Sequence, residues 1–213
     1  MAHLLHVDSS ITGDYSVTRA LTARAVDAWK QANPGGTVTY RDLAASPVPH
    51  LDAAGGLARA VPPADHTPAQ AASYAISVEL IDEVKAADTV ILGLPLYNFG
   101  APSTVKSWVD HLIAPGLSYD PESGAGLFGD TDFIVLASRG GGYGEGTPRY
   151  GWEHAATWLP HGLSLTGLEP RFIAAELTLA KTVPAMNELI PLAEESLAAA
   201  EAEIDELFTP ATV

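Results

Sequence analysis

Along this chain the apolar positions alternate between two periods. Residues 4–10, LLHVDSS, form a short apolar run that ends in small polar side chains and reads as a buried strand. From Ser16 the spacing turns helical, and in VTRALTARAVDAWKQA the side chains of Val17, Ala20, Leu21, Val26 and Trp29 fall near one face. The breakers NPGG at 33–36 end that helix, and TVTYRDL at 37–43 predicts a second strand. Residues 44–69 carry Pro47, Pro49, Pro62, Pro63 and Pro68 and predict an irregular surface excursion. A helix over 69–87 follows, then the most apolar strand, DTVILGLPL, then a helix over 103–113. Residues 114–131, rich in Gly and Pro, read as a loop. TDFIVLAS is another buried strand, 152–163 a helix, GLEPRFIAAEL contains the last strand, and 185–208 is a long Ala/Glu-rich helix.

Five strands alternating with helices predict an α/β fold: one domain over 1–213, with a five-stranded, parallel, doubly wound sheet and helices on both faces. In such sheets ligands gather beyond the carboxyl ends of the strands, where the strand order switches. The loops 8–18, 95–102 and 138–147 leave those ends, and all three carry unusual chemistry.

Composition narrows what that chemistry is. The chain has no cysteine, which excludes disulfides, thiolate metal ligands and a cysteine nucleophile and fits a reducing cytoplasm. A net charge of −15 repels phosphate backbones and anionic lipid, so neither nucleic acid nor a membrane surface is an expected partner. No apolar stretch reaches the roughly 18–20 residues of a membrane helix. A phosphate site in so acidic a chain has to be built from local N–H groups.

The first loop, DSSITGDYSVT, places Ser9, Ser10, Ser16 and Thr18 around Gly13 just before a helix, whose first N–H groups and dipole favour a phosphate. It holds neither GxxxxGK[ST] nor GxGxxG, so it is no Walker loop and no dinucleotide fingerprint. Ser16 is equally an ordinary N-cap. The second loop, PLYNFGAP, spaces Tyr97 and Phe99 two apart, which in an extended segment sets both rings on one side, with Asn98 between. Rings to wall a face and an amide to meet a polar edge suit a flat heteroaromatic ligand, although such a pair also serves as core under a helix. The third loop, SRGGGYGEGTPRYG, has the glycines needed for close approach to a planar ring.

Together SSITGDYSVT, PLYNFGAPSTVKSWVD, SRGGGY and DLAASPVP resemble the FMN-dependent NADH azoreductases, a branch of the flavodoxin-like NAD(P)H quinone reductases. The resemblance implies a flavodoxin-like fold and non-covalent FMN. Its phosphate would lie against Ser10 and the turn of Ser16, Val17 and Thr18. Leu96, Tyr97, Asn98 and Phe99 would line the isoalloxazine, and Ser138, Arg139, Gly140 and Gly141 would close its other end, with the glycine amides donating toward the ring. It further implies NADH or NADPH as reductant, quinones and then azo compounds as acceptors in ping-pong order, and a homodimer, for which a helix carrying Trp108 is a candidate surface. No protein nucleophile and no metal is required, because the cofactor carries the chemistry.

The segment 142–163 is more aromatic and Gly-rich than the resemblance leads one to expect, and it borders the substrate side. Tyr143, Trp152, Trp158 and His161 are the acceptor-side candidates there. Three other readings stay open at this point. One is a reductase specialised for a single polycyclic aromatic metabolite, another a flavodoxin-like electron carrier. The third is a hydrolase using Ser10 or Ser138 with His50, His111, His154 or His161, for which no GxSxG is present.

Overall fold

The structure, a computed structural model, describes residues 1–209. Five strands, β1 (His3–Asp8), β2 (Thr37–Asp42), β3 (Thr89–Pro95), β4 (Asp132–Ser138) and β5 (Pro170–Ala175), form one sheet in the order β2-β1-β3-β4-β5. Every pairing is parallel. After β2 the chain crosses back over β1, so the order reverses between β1 and β3 and the crevice opens at their carboxyl ends. The doubly wound sheet expected from the pattern is therefore present.

Among the described residues six α-helices flank the sheet: α1 (Val17–Ala32), α2 (Ala53–Ala58), α3 (Pro68–Ala86), α4 (Ser103–Leu112) and α5 (Ala155–Leu163) between strands, and α6 (Ile190–Glu206) after the last. The continuous apolar runs of the inner strands divide by the strand period of two. Leu4, Ile91, Ile134 and Ile173 pack under α1 and α6, through Leu21, Trp29, Ala200 and Ile204. Leu5, Val90, Leu92 and Val135 pack under α3, α4 and α5. Burying a side chain of this size stabilises the fold by about 1.5–3 kcal/mol, and both faces of the sheet have such a layer.

The boundaries differ from the pattern where local chemistry overrides it. In α1 the buried stripe runs through Thr18, Leu21, Thr22, Ala25, Val26 and Trp29, while Ala20 is exposed. The threonines turn inward because their hydroxyls are paired there, Thr22 donating to Asp8 and Thr18 lying beside Ser16 Oγ. The excursion after β2 contains the short helix α2, started by Asp52, whose Oδ1 accepts from Gly55 N–H at 2.8 Å. The helix predicted over 152–163 begins only at Ala155, where the Glu153 carboxylate accepts from the Ala155 and Ala156 N–H groups.

Trp108 requires a correction. It is fully buried in the protein's own core between α4 and the sheet, so its indole offers no surface to a second subunit. His111, also on α4, is buried too. Its Nε2 donates to the Pro49 carbonyl (3.1 Å), so its Nδ1 accepts from Ser77 Oγ (2.8 Å). It ties the excursion to α3 and α4. Burial pushes this imidazole below its ordinary pKa, partly offset by the Pro49 hydrogen bond. The folded state thus prefers neutral His111, and its contribution is complete above about pH 6.5 and is lost as pH falls below that value. His111→Phe is expected to cost about 1–3 kcal/mol at pH 8, by leaving the Pro49 carbonyl unpaired. It is also expected to flatten the fall in denaturation midpoint between pH 6.5 and 5; equal slopes in variant and parent contradict the assignment.

Candidate functional site

At the β1/β3 switch point lies a cavity of about 320 Å³. Its floor is Ser10, Ser16 and Val17 from the β1–α1 loop, and Pro95, Leu96 and Tyr97 from the end of β3. Ser138 and Gly140 close it from β4, and Thr178, Leu179 and Thr182 from the segment after β5.

The β1–α1 side is a set of donors. Ser16 caps α1, its Oγ accepting from Arg19 N–H at 3.2 Å and lying 2.9 Å from Thr18 Oγ1. The N–H groups of Val17 and Thr18, the first two of the helix, have no acceptor among the described residues, as the geometry of a helix start requires. Ser10 Oγ lies 3.0 Å from Thr12 Oγ1 and 3.3 Å from Tyr97 Oη, and Tyr97 Oη accepts from Ile11 N–H at 3.1 Å. Among the described residues no cation lines this cavity.

The β3 side departs from the extended geometry that residue spacing suggests. Tyr97 and Gly100 exchange both backbone hydrogen bonds at 3.0 Å, and the two residues between them are left-handed, Asn98 at φ 48° and Phe99 at φ 69°. This is a two-residue turn of type I′ character. It sends the two rings apart. Tyr97 points back to Ser10, while Phe99 meets Trp152 edge-on at 5.3 Å and Tyr143 at 6.3 Å, with the Arg149 guanidinium 5.8 Å from its centroid. Phe99 is held in its unfavourable conformation from both ends, since its carbonyl accepts from His154 N–H at 2.9 Å. Among the described residues the only other non-glycine with positive φ is Leu177, at the same end of the sheet. Strained backbone here concentrates at the crevice.

The β4 and β5 loops lock together. Thr178 and Leu179 N–H groups donate to the Arg139 and Gly140 carbonyls at 3.0 and 3.3 Å. The Arg139 side chain bridges to Glu176 at 2.8 Å and lies 3.8 Å from Glu153, so it fastens neighbouring loops instead of facing the cavity. A Cβ on Gly140 would stand 2.6 Å from Leu179 Cδ1, so any larger residue here makes the half-exposed Leu179 side chain turn aside from the wall. The Gly140 and Gly141 amides have no acceptor among the described residues.

The structure thus brings Ser10, Ser16, Val17, Leu96, Tyr97, Ser138 and Gly140 to one cavity. Thr18, Asn98, Phe99, Arg139 and Gly141 are their immediate neighbours in the same loops. Tyr143 and Trp152 gather on Phe99 at the rim. Trp158 and His161 do not join them: Trp158 packs along α5 against Gly162 with the Lys106 ammonium 6.0 Å from its ring, and His161 is exposed at the end of that helix. Thr12, Tyr15, Thr178, Leu179 and Thr182 were not singled out by motif. The rule that found the other loops, the carboxyl end of a strand, also applies to β5 and would have found the last three. Among the described residues neither Ser10 nor Ser138 is hydrogen-bonded to His50, His111, His154 or His161. Ser10 Oγ is engaged by Thr12 and Tyr97, while His111 and His50 bond to Ser77 and Ser107.

A cavity of hydroxyls and open amides with a stiff aromatic rim fits a phosphorylated planar ring, and the fold is the one that binds mononucleotides at this switch point. A family described as having the flavodoxin-like fold matches residues 2–206, and the chain belongs to that family. Within it, the chain is 44% identical over 206 residues to an FMN-dependent NADH:quinone oxidoreductase of Frankia alni, covering 96% of this chain and 97% of that one. It is 46% identical over 202 residues to an enzyme of the same name from Streptomyces avermitilis, covering 94% and 92%. Among solved structures, an azoreductase from Bacillus anthracis superposes with a TM-score of 0.83 at 25% identity, covering 98% and 99% of the two chains.

Proposed function

We propose that the protein is an FMN-dependent oxidoreductase that uses NADH to reduce quinones, with azo compounds as further acceptors. The observation that carries this is the cavity at the β1/β3 switch point, whose phosphate side is made of neutral donors and whose ring side is the type I′ turn and the Gly140 wall. The relatives' activity and the azoreductase likeness support the same reading. Bound FMN supplies the two-electron chemistry that no side chain of this chain provides.

The protein's part is binding and orientation. The Val17 and Thr18 amides with the Ser10 and Ser16 hydroxyls hold the phosphate without a fixed charge. Leu96, Tyr97, Asn98 and Phe99, with Ser138, Arg139, Gly140 and Gly141, hold the ring system, the arginine acting through its bridge to Glu176. Phe99, Tyr143 and Trp152 form an aromatic rim, and NADH and the acceptor use this open side in turn. One domain over 1–213, a cytoplasmic location and a homodimer belong to the same reading. Among the described residues no helix is long and apolar enough to cross a membrane.

The test is an absorbance spectrum of the purified protein, taken before and after anaerobic NADH. Flavin bands that bleach on addition, and return on addition of a quinone, are the expected result. A protein that takes up no FMN on reconstitution contradicts the reading, and one that binds FMN but is not reduced by NADH points to the electron carrier.

A further inference from the structure

Arg19 stands in the first turn of α1, beside Ser16 and Val17, yet it does not line the cavity. It turns behind the loop. Its Nε and Nη2 both donate to the Ser10 carbonyl, at 3.2 and 2.8 Å. The same guanidinium is held from the other side: Nη2 and Nη1 reach the two Asp42 oxygens at 2.9 and 2.8 Å, and Nη1 donates to Tyr40 Oη at 3.0 Å. Tyr40 Oη in turn donates to Asp8 Oδ2 at 3.1 Å, and Thr22 Oγ1 to Asp8 Oδ1 at 2.9 Å. Asp42 is itself fixed by the Ala44 and Ala45 N–H groups at 2.9 and 3.1 Å.

We infer that Arg19 is a positioning residue for the phosphate-binding loop, fixing Ser10 through its carbonyl without touching the ligand. This rests on the reading of the cavity as an FMN site. Two features exclude a simpler role as a counter-charge. The cluster of Arg19, Asp8 and Asp42 carries one positive and two negative charges, so its field does not attract a phosphate. The guanidinium also spends its donors on the Ser10 carbonyl, Asp42 and Tyr40, and Arg19 lines a separate depression with Asp42, Ala44 and Ala45 instead of the cavity itself. What the fork supplies is geometry: two bonds to one carbonyl and two to one carboxylate, an arrangement an ammonium lacks the shape to make. With Ser10 fixed, its Oγ stays beside Tyr97 Oη, and Ile11 N–H stays on that same oxygen. The Ser10 hydroxyl and the start of α1 are thus set in place before the ligand arrives, while the β3 turn is closed by its own paired bonds between Tyr97 and Gly100.

The inference separates phosphate from ring, and the experiment does the same. The deflavinated full-length protein, Arg19→Met and Arg19→Lys are titrated with FMN and with riboflavin, which lacks the phosphate, following quenching of flavin fluorescence at two salt concentrations. Apoprotein melting is recorded alongside. Both variants are expected to bind FMN about tenfold more weakly, to retain riboflavin affinity within about twofold, and to show the parent's salt dependence. Lysine is expected not to rescue, and it carries the test if the methionine variant fails to fold. Equal losses for both flavins, no loss for either, or restoration of FMN binding by lysine each overturn the inference. A parent protein that binds neither flavin overturns the FMN reading beneath it, before any variant is compared.

Discussion

Gly126→Ala is expected to cost about 3 kcal/mol of stability, lowering the melting temperature by about 6–12 °C. Gly126 sits in the loop between α4 and β4, where it crosses the turn that follows α5. A Cβ at this position would stand 2.3 Å from Gly167 N, 2.4 Å from Thr166 C and 2.6 Å from Thr166 O. Those are backbone atoms, so no rotamer change relieves the clash. Nor does the loop have room to lift away, because Phe128 N–H donates to the Thr166 carbonyl at 2.9 Å and Leu127 N–H to the Ser118 carbonyl at 3.0 Å. Phe128, fully buried in the core under α4, would have to move with it. The comparison variant is Gly124→Ala, two residues earlier. Gly124 has φ 75° with nothing within 4 Å of a Cβ, so that change meets only the left-handed backbone penalty of about 1–2 kcal/mol. Thermal unfolding of the two proteins checks the argument; similar midpoints for both would mean that the loop yields more readily than its hydrogen bonds indicate.

Neither glycine stands out in the sequence, and the reason is general to this chain. What was legible was periodic or positional. The inner strands announced themselves because both faces of the sheet are buried, so Thr89–Pro95 is buried throughout and apolar from Val90 on. The helices followed from their stripes, and strand–helix alternation left few arrangements besides a doubly wound sheet. What was not legible depends on contacts between distant segments. The short helix Ala53–Ala58 contains two glycines and is held by the Asp52 cap and by packing on α3, neither of which periodicity records. Trp108 has the amphipathic setting of a surface helix, and only the packing of the sheet shows that its indole points inward.

The same division runs through the site. The loops after β1, β3 and β4 were found because strand ends in such folds are where ligands bind, and their residues are chemically unusual. The wall from Thr178 and Leu179 is chemically plain and gains its place only by pairing with Arg139 and Gly140. Arg19 stands one residue past the loop Asp8–Thr18, whose hydroxyls and helix N–H groups are what the sequence makes legible; its role depends on Asp42, a strand away. Trp158 and His161 shared a segment with Trp152 but sit on the helix that leaves the crevice. Sequence proximity was the wrong measure there, since one turn of α5 carries a side chain away from the rim.

The expectation that Tyr97 and Phe99 face one way failed for a reason that yields the second large effect. Because Asn98 and Phe99 are both left-handed, Asn98→Val is expected to weaken FMN binding by about a hundredfold, whereas Asn98→Gly is expected to weaken it by only about tenfold. Asparagine tolerates the φ of 48° found here, glycine adopts it freely, and a β-branched residue does not. Valine therefore has to leave the left-handed region, and the paired bonds between Tyr97 and Gly100 break with it. The damage spreads in two directions. Tyr97 Oη loses its place against Ser10 and Ile11 N–H, which loosens the phosphate side. Phe99 leaves Trp152 and Tyr143, which opens the aromatic rim. Glycine keeps the turn and removes only the amide, so its smaller loss measures what the Asn98 side chain itself contributes to binding. FMN titration of the two apoproteins separates the terms: valine far below glycine assigns the site to the shape of the turn, while equal losses assign it to the amide. A valine protein that binds as tightly as the parent removes the turn from the site altogether.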